Sequence, residues 1–224
     1  MKDVNYEKAV KLLETLQSRY PYGRYAQQAL MEIAYANYKQ NEPEAALSAA
    51  ERFIKQFPNS PNLDYVYYLK GLVNFNDNAG FFNRLSRQDP AERDPQTLRE
   101  SFDSFRELVS RFPDSLYVED SKLRMQFLIN TLSRSDISIA SYYLRRGAYI
   151  AALNRANNVL KDFPKTRQTR DALQIMILAY DAMGQNDLRD DTQRILDLNI
   201  AKDGIKPSIP NTILAKSSWW QFWL

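Results

Sequence analysis

The chain has 224 residues, 44% of them hydrophobic and 25% charged, with a formal net charge of +3. That composition is ordinary for a folded protein, and the charge is too small to imply nucleic acid by itself. The absence of both cysteine and histidine removes disulfides, thiol and imidazole chemistry, and with them most zinc sites. Acid–base catalysis would have to use Asp, Glu, Lys or Tyr. There are only 6 glycines and few alternating β-branched runs, so the chain is expected to be all-α. No apolar run reaches the roughly 18 residues needed to span a membrane.

Residues 5–20 read as a helix with Ala9, Leu12, Leu13 and Leu16 on its inward face. It looks like the second helix of a hairpin whose first helix is missing, so the sequence is expected to begin partway into a longer protein. Residues 25–41 follow, with Ala26, Ala29, Leu30, Ile33, Ala34 and Asn37 on the i, i+3, i+4 grid of an amphipathic helix. Pro43 suits the first turn of a helix over 43–57. Residues 61–77 carry Leu63, Val66, Tyr67, Leu69 and Val73 at helical spacing, and 78–95 read as an insertion. Phe81, Phe82 and Leu85 suggest that the insertion folds back on its neighbours. Residues 96–112 close that hairpin. From 116 to 147 the pattern is read as two helices, 116–134 and 137–147, although nothing there forbids one continuous helix. Helices over 149–163, 168–183 and 187–198 complete the series, the last one polar as a terminal repeat helix must be.

A signature recurs along this series. Helical patterns run into Tyr20-Pro21, Phe57-Pro58, Phe112-Pro113 and Phe163-Pro164. Proline ends a helix because it has no N–H and clashes with the preceding turn. Ser60, Ser115 and Thr166, two residues beyond, are expected to cap the next helix. Ala9, Ala46, Ser101 and Ala152 each lie 12 residues before those prolines, small residues that let a neighbouring helix approach. This is the logic of the tetratricopeptide (TPR) repeat, although the proline spacings of 37, 55 and 51 are irregular. The fold is expected to be a TPR-type α-solenoid of about five helical hairpins, the first truncated. Its parts are N-terminal repeats over 1–115 containing the insertion, C-terminal repeats over 116–200, and an irregular aromatic tail over 201–224.

Several local strings resemble the BamD family of outer-membrane lipoproteins, also called competence lipoproteins. They are Arg19-Tyr-Pro-Tyr-Gly-Arg-Tyr25, Pro61-Asn-Leu-Asp-Tyr65 with Leu69-Lys-Gly-Leu72, Arg93-Asp-Pro-Gln96 with Phe102-x-x-Phe105, Tyr142-Tyr143-x-x-Arg-Gly147, Asn154-Arg155 and Thr169-Arg-Asp-Ala-Leu173. The resemblance covers roughly residues 4–198. It implies a non-enzymatic scaffold without cofactors, on the periplasmic face of the outer membrane and held there by a lipid on an N-terminal cysteine preceded by a signal peptide. It further implies that the C-terminal repeats bind the barrel subunit BamA, with other assembly lipoproteins as partners. The N-terminal repeats would receive the C-terminal targeting signal of unfolded outer-membrane proteins. No nucleic acid is implied.

Three groups of residues are candidates for these roles. Tyr20, Tyr22, Tyr25, Tyr35, Tyr38, Tyr65, Tyr67 and Tyr68 are dense in the N-terminal repeats. Some must be core, but tyrosine is amphipathic and suits a helical surface that takes an extended peptide. The peptide groove is expected at Tyr20, Tyr22, Tyr25, Tyr38, Asp64, Tyr65 and Tyr68. Arg145, Arg146, Asn154, Arg155, Arg170 and Asp171 are expected to dock the barrel subunit, since the planar guanidinium suits interface ion pairs. Their plain alternative is a solvated face. Trp219, Trp220 and Trp223 could pack on the chain itself, bind a partner or sit at lipid headgroups. The adjacent pairs Glu119-Asp120 and Asp190-Asp191 point apart on a helix and are assigned to solvent. The competing reading, a cytosolic TPR adaptor or co-chaperone, is disfavoured because the inner N-terminal helices carry mainly Tyr and Asn rather than a carboxylate clamp.

Overall fold

The computed structural model describes residues 5–23, 25–76 and 95–209. Residues 78–94 of the expected insertion and the tryptophans of the tail lie outside them, and Pro95, the last residue of that insertion, opens a helix instead. Among the described residues there are nine helices and no strand: α1 (Tyr6–Arg19), α2 (Ala26–Lys39), α3 (Pro43–Gln56), α4 (Leu63–Asn76), α5 (Pro95–Arg111), α6 (Val118–Arg145), α7 (Tyr149–Asp162), α8 (Gln168–Ala182) and α9 (Asn186–Asp203). The all-α, TPR-type expectation holds.

The aromatic–proline signature builds the same turn four times. Tyr20, Phe57, Phe112 and Phe163 each donate a last helical N–H to the carbonyl four residues back, at 2.8–3.0 Å. The carbonyl of each aromatic residue then accepts the N–H of Gly23, Ser60, Ser115 or Thr166, at 3.0–3.1 Å. The hydroxyl residues are not helix caps, because α4 and α6 begin three residues later. Instead Ser60 and Ser115 accept the N–H of Asn62 and Tyr117 within the turn, both at 3.3 Å. Thr166 donates back to the Phe163 carbonyl at 2.9 Å. Proline supplies the stop, and the hydroxyl braces the turn.

Two compact units divide the chain, one running to Leu128 and the other from Ile129. In the first, α1 to α5 pack each on the next, around Leu30, Ile33, Phe53, Val66, Leu69, Leu108 and Val118. Ala46 and Ser101 are fully buried at the small-residue position. The Ser101 hydroxyl donates to the Gly71 carbonyl at 2.9 Å. The missing side chain of Gly71 leaves room for Phe105, whose ring would lie 2.5 Å from a Cβ there. In the second unit α7, α8 and α9 also pack in sequence. Ile137, Ala140, Leu144, Ala152, Val159 and Ile175 form its main cluster.

Two sequence expectations change. The stretch read as two helices is a single 28-residue helix, α6. It holds neither Pro nor Gly, and the serines that suggested a break are accommodated within it, Ser133 donating to the Asn130 carbonyl at 3.1 Å. The last helix runs on to Asp203 and ends only where Gly204 adopts a left-handed φ of 71°. Its outer face is not wholly polar, since Leu188, Ile195 and Leu198 are exposed on it.

Candidate functional site

Helical spacing gathers tyrosines into one plate in the first unit. On α4, Tyr65 and Tyr68 are i, i+3 neighbours and share a face, and both lie against Tyr117, which precedes α6. Tyr68 and Tyr117 stack at 4.6 Å with an interplanar angle of 17°, and Tyr65 lies 5.8 Å from Tyr117. On α2, Tyr35 and Tyr38 repeat the i, i+3 spacing, with the Lys39 ammonium 5.5 and 5.7 Å from their ring centroids. Burial pushes the Tyr65 phenol up to about 12, and its neighbours Tyr35, Tyr117, Glu32 and Tyr38 add to the shift. All five rings are half-buried. They are fixed at the base and still present apolar surface with a polar tip.

Two of the carboxylates around this plate, Asp64 and Asp120, are already engaged. Asp64 accepts from the Ser115 hydroxyl and from the Tyr65 N–H, both at 2.7 Å, so it ties the start of α4 to the turn before α6. Asp120 accepts from the Tyr68 hydroxyl at 2.7 Å and from Arg124 at 2.5 Å. Burial alone would raise the Asp120 carboxyl. The hydrogen bonds from Arg124 and Tyr68, with the charge of Arg124, outweigh it and leave the group below its ordinary value. Asp120 is therefore a structural acceptor as well as a carboxylate that still faces solvent, as expected from sequence, with its side chain 45% exposed. The Arg124 guanidinium also stacks 4.7 Å from the centroid of Phe75, which meets Phe127 at 5.6 Å.

The predicted groove residues separate accordingly. Tyr38, Tyr65 and Tyr68 belong to the plate, and Asp64 supports it. Tyr20, Tyr22 and Tyr25 are exposed in the loop that leads into α2. At a rise of ~1.5 Å per residue, Tyr25 sits ~15 Å along the helix from Tyr35. Tyr67 points the other way: it is buried, and its hydroxyl accepts from Arg111 at 2.7 Å. Tyr117, Arg124 and Lys39 were not singled out from sequence, and Asp120 was assigned to solvent. The Asp120-x3-Arg124 spacing of a helical ion pair was the available signal.

In the second unit Arg145, Arg146 and Asn154 are exposed. Arg155 donates to Asp136 at 3.2 Å, and that aspartate side chain is only 7% exposed. Arg170 and Asp171 face inward on the chain's own last segment. Arg170 pairs with Asp203, and buried Asp171 accepts the backbone N–H groups of Ser208 and Ile209. Trp219, Trp220 and Trp223 lie outside the described residues.

The fold is that of a TPR-type helical repeat protein, and its first unit carries a fixed plate of half-buried tyrosines. Among the described residues no group of three or more Asp or Glu is placed to hold a metal ion. A family described as outer membrane lipoprotein (YfiO) matches residues 1–195. Relatives named outer membrane protein assembly factor BamD include one from Neisseria meningitidis serogroup A, 43% identical over 98% of this chain and 81% of its own length. Others are from Pasteurella multocida, 36% identical over 94% of this chain and 82% of its own, and Vibrio cholerae, 37% identical over 85% and 79%. The chain belongs to the BamD family of outer membrane protein assembly factors. No helix among the described residues is long and apolar enough to cross a membrane.

Proposed function

We propose that this chain is a non-catalytic scaffold of the outer-membrane β-barrel assembly complex, lipid-anchored on the periplasmic face. It binds the C-terminal targeting segment of unfolded outer-membrane proteins on the tyrosine plate of its first unit. Its second unit docks a BamA-like barrel subunit through the exposed Arg145, Arg146 and Asn154 with Arg155, and other assembly lipoproteins join the complex. The plate carries the client reading. Five half-buried rings offer apolar and hydrogen-bonding surface to an extended aromatic-ended peptide, and beside them Asp120 is paired with Arg124 and Asp64 is hydrogen-bonded within the chain. The test is fluorescence anisotropy with a labelled peptide copying the last residues of a barrel client. Tyr65→Ala with Tyr68→Ala is expected to weaken binding about tenfold or more, since each ring contributes on the order of 1 kcal/mol of contact. Unchanged affinity in a variant that melts normally refutes the site.

A further inference from the structure

The segment after α9 is held in an unusual way. Gly204 turns the chain back, the Arg170–Asp203 pair anchors the turn, and residues 204–209 then run on without helix or strand. Gly204, Lys206 and Ser208 are exposed. Two features fix the end of the run. The Asp171 carboxylate accepts the N–H groups of both Ser208 and Ile209. The Ile209 side chain packs against the cluster that contains Ile137 and Ala140 of α6 and Ala172 and Ile175 of α8.

This is how a helical repeat grips an extended peptide: a side chain on the helix reads the backbone, and a socket beside it reads one side chain. Asp171 is buried, and burial raises its carboxyl against the lowering effect of those two N–H groups. A charge in that position is costly unless hydrogen bonds satisfy it, and the donors come from the non-helical segment that follows α9. We propose that Asp171 and the adjacent apolar socket form a peptide-binding site on the second unit, filled in cis by Ser208 and Ile209. The partner it fits is an extended segment with two consecutive free N–H groups, the second belonging to a branched aliphatic residue, with proline excluded from both positions. Such a segment displaces residues 208–209 to bind.

The test uses the full chain and an end-capped, labelled peptide of residues 204–209. Ile209→Asp empties the socket, and peptide binding to this variant is expected to be at least tenfold tighter than to the parent, whose own segment competes at a high effective concentration. Adding Asp171→Leu to it, which removes the acceptor, or placing proline at the serine of the peptide, is expected to lose that binding. Ser208→Pro is the second variant: it removes one N–H while leaving the core untouched, and it is also expected to admit the peptide. Equal binding to parent and variants, or none to either variant while its melting is cooperative, overturns the proposal. So does an Ile209→Asp chain that fails to fold together with a Ser208→Pro chain that folds and does not bind.

Discussion

Replacing Gly71 by alanine tests whether the tyrosine plate depends on the packing beneath it. An added Cβ would lie 2.5, 2.7 and 2.8 Å from three ring atoms of Phe105, well inside contact distance. Phe105 is fully buried, so its ring has no open side to swing into. In a well-packed core such an insertion costs about 1–3 kcal/mol, partly offset by the roughly 0.5–1 kcal/mol that alanine gains over glycine within a helix. A net loss of about 1–2 kcal/mol is expected, read as a fall of about 2–8 °C in melting temperature for a chain of this size. Phe105 also lies 6.0 Å from Tyr68 and 6.3 Å from Phe75, so its displacement is expected to weaken client-peptide binding as well. Phe105→Leu in the same chain makes room and is expected to recover part of the stability. A Gly71→Ala chain as stable as the parent would show that the ring yields freely, and the packing argument would fail.

Two further outcomes follow from the same contacts. The phenol of Tyr65 is pushed up to about 12, whereas an unfolded tyrosine titrates near 10; between those values the unfolded state has already lost the proton that the folded state keeps. Stability is therefore expected to fall as pH rises from about 10 to 12, more steeply in the parent than in Tyr65→Phe, as followed by urea midpoints; parallel curves would remove Tyr65 from the account. Arg155→Glu would set a second carboxylate beside Asp136 and is expected to cost about 1–3 kcal/mol, tempered by the half-exposed arginine. Arg155→Gln keeps a donor and should melt close to the parent, which makes it the cleaner probe of docking in calorimetric titrations with the periplasmic domains of the barrel subunit. An Arg155→Glu chain that melts like the parent would sever the proposed link to Asp136.

What the sequence revealed was periodic or punctuated. The helix-ending Tyr20, Phe57, Phe112 and Phe163 were legible because a proline followed each, and the small-residue register because it recurred at a fixed distance. The continuity of α6 was ambiguous because serines weaken a helical pattern without breaking it. The plate was half legible. Tyr65 and Tyr68 share a helical face, but their partner Tyr117 comes from a turn some 50 residues on, and only tertiary structure brings them together. Arg170 and Asp171 were expected at a docking face because composition does not say which charges a chain will use on itself.

The stacked rings of the first unit have a thermodynamic corollary. Each is already half covered by its neighbours, so a visitor can hide only the remaining area from water, and area removed from water sets the gain at roughly 25 cal/mol per Å². In the proposed role the contact would rest on apolar area more than on ion pairs, so its strength would change less with salt than that of a charged site. In that proposed role, loose holding would favour short residence, the behaviour suited to a relay that passes cargo onward rather than a store that keeps it.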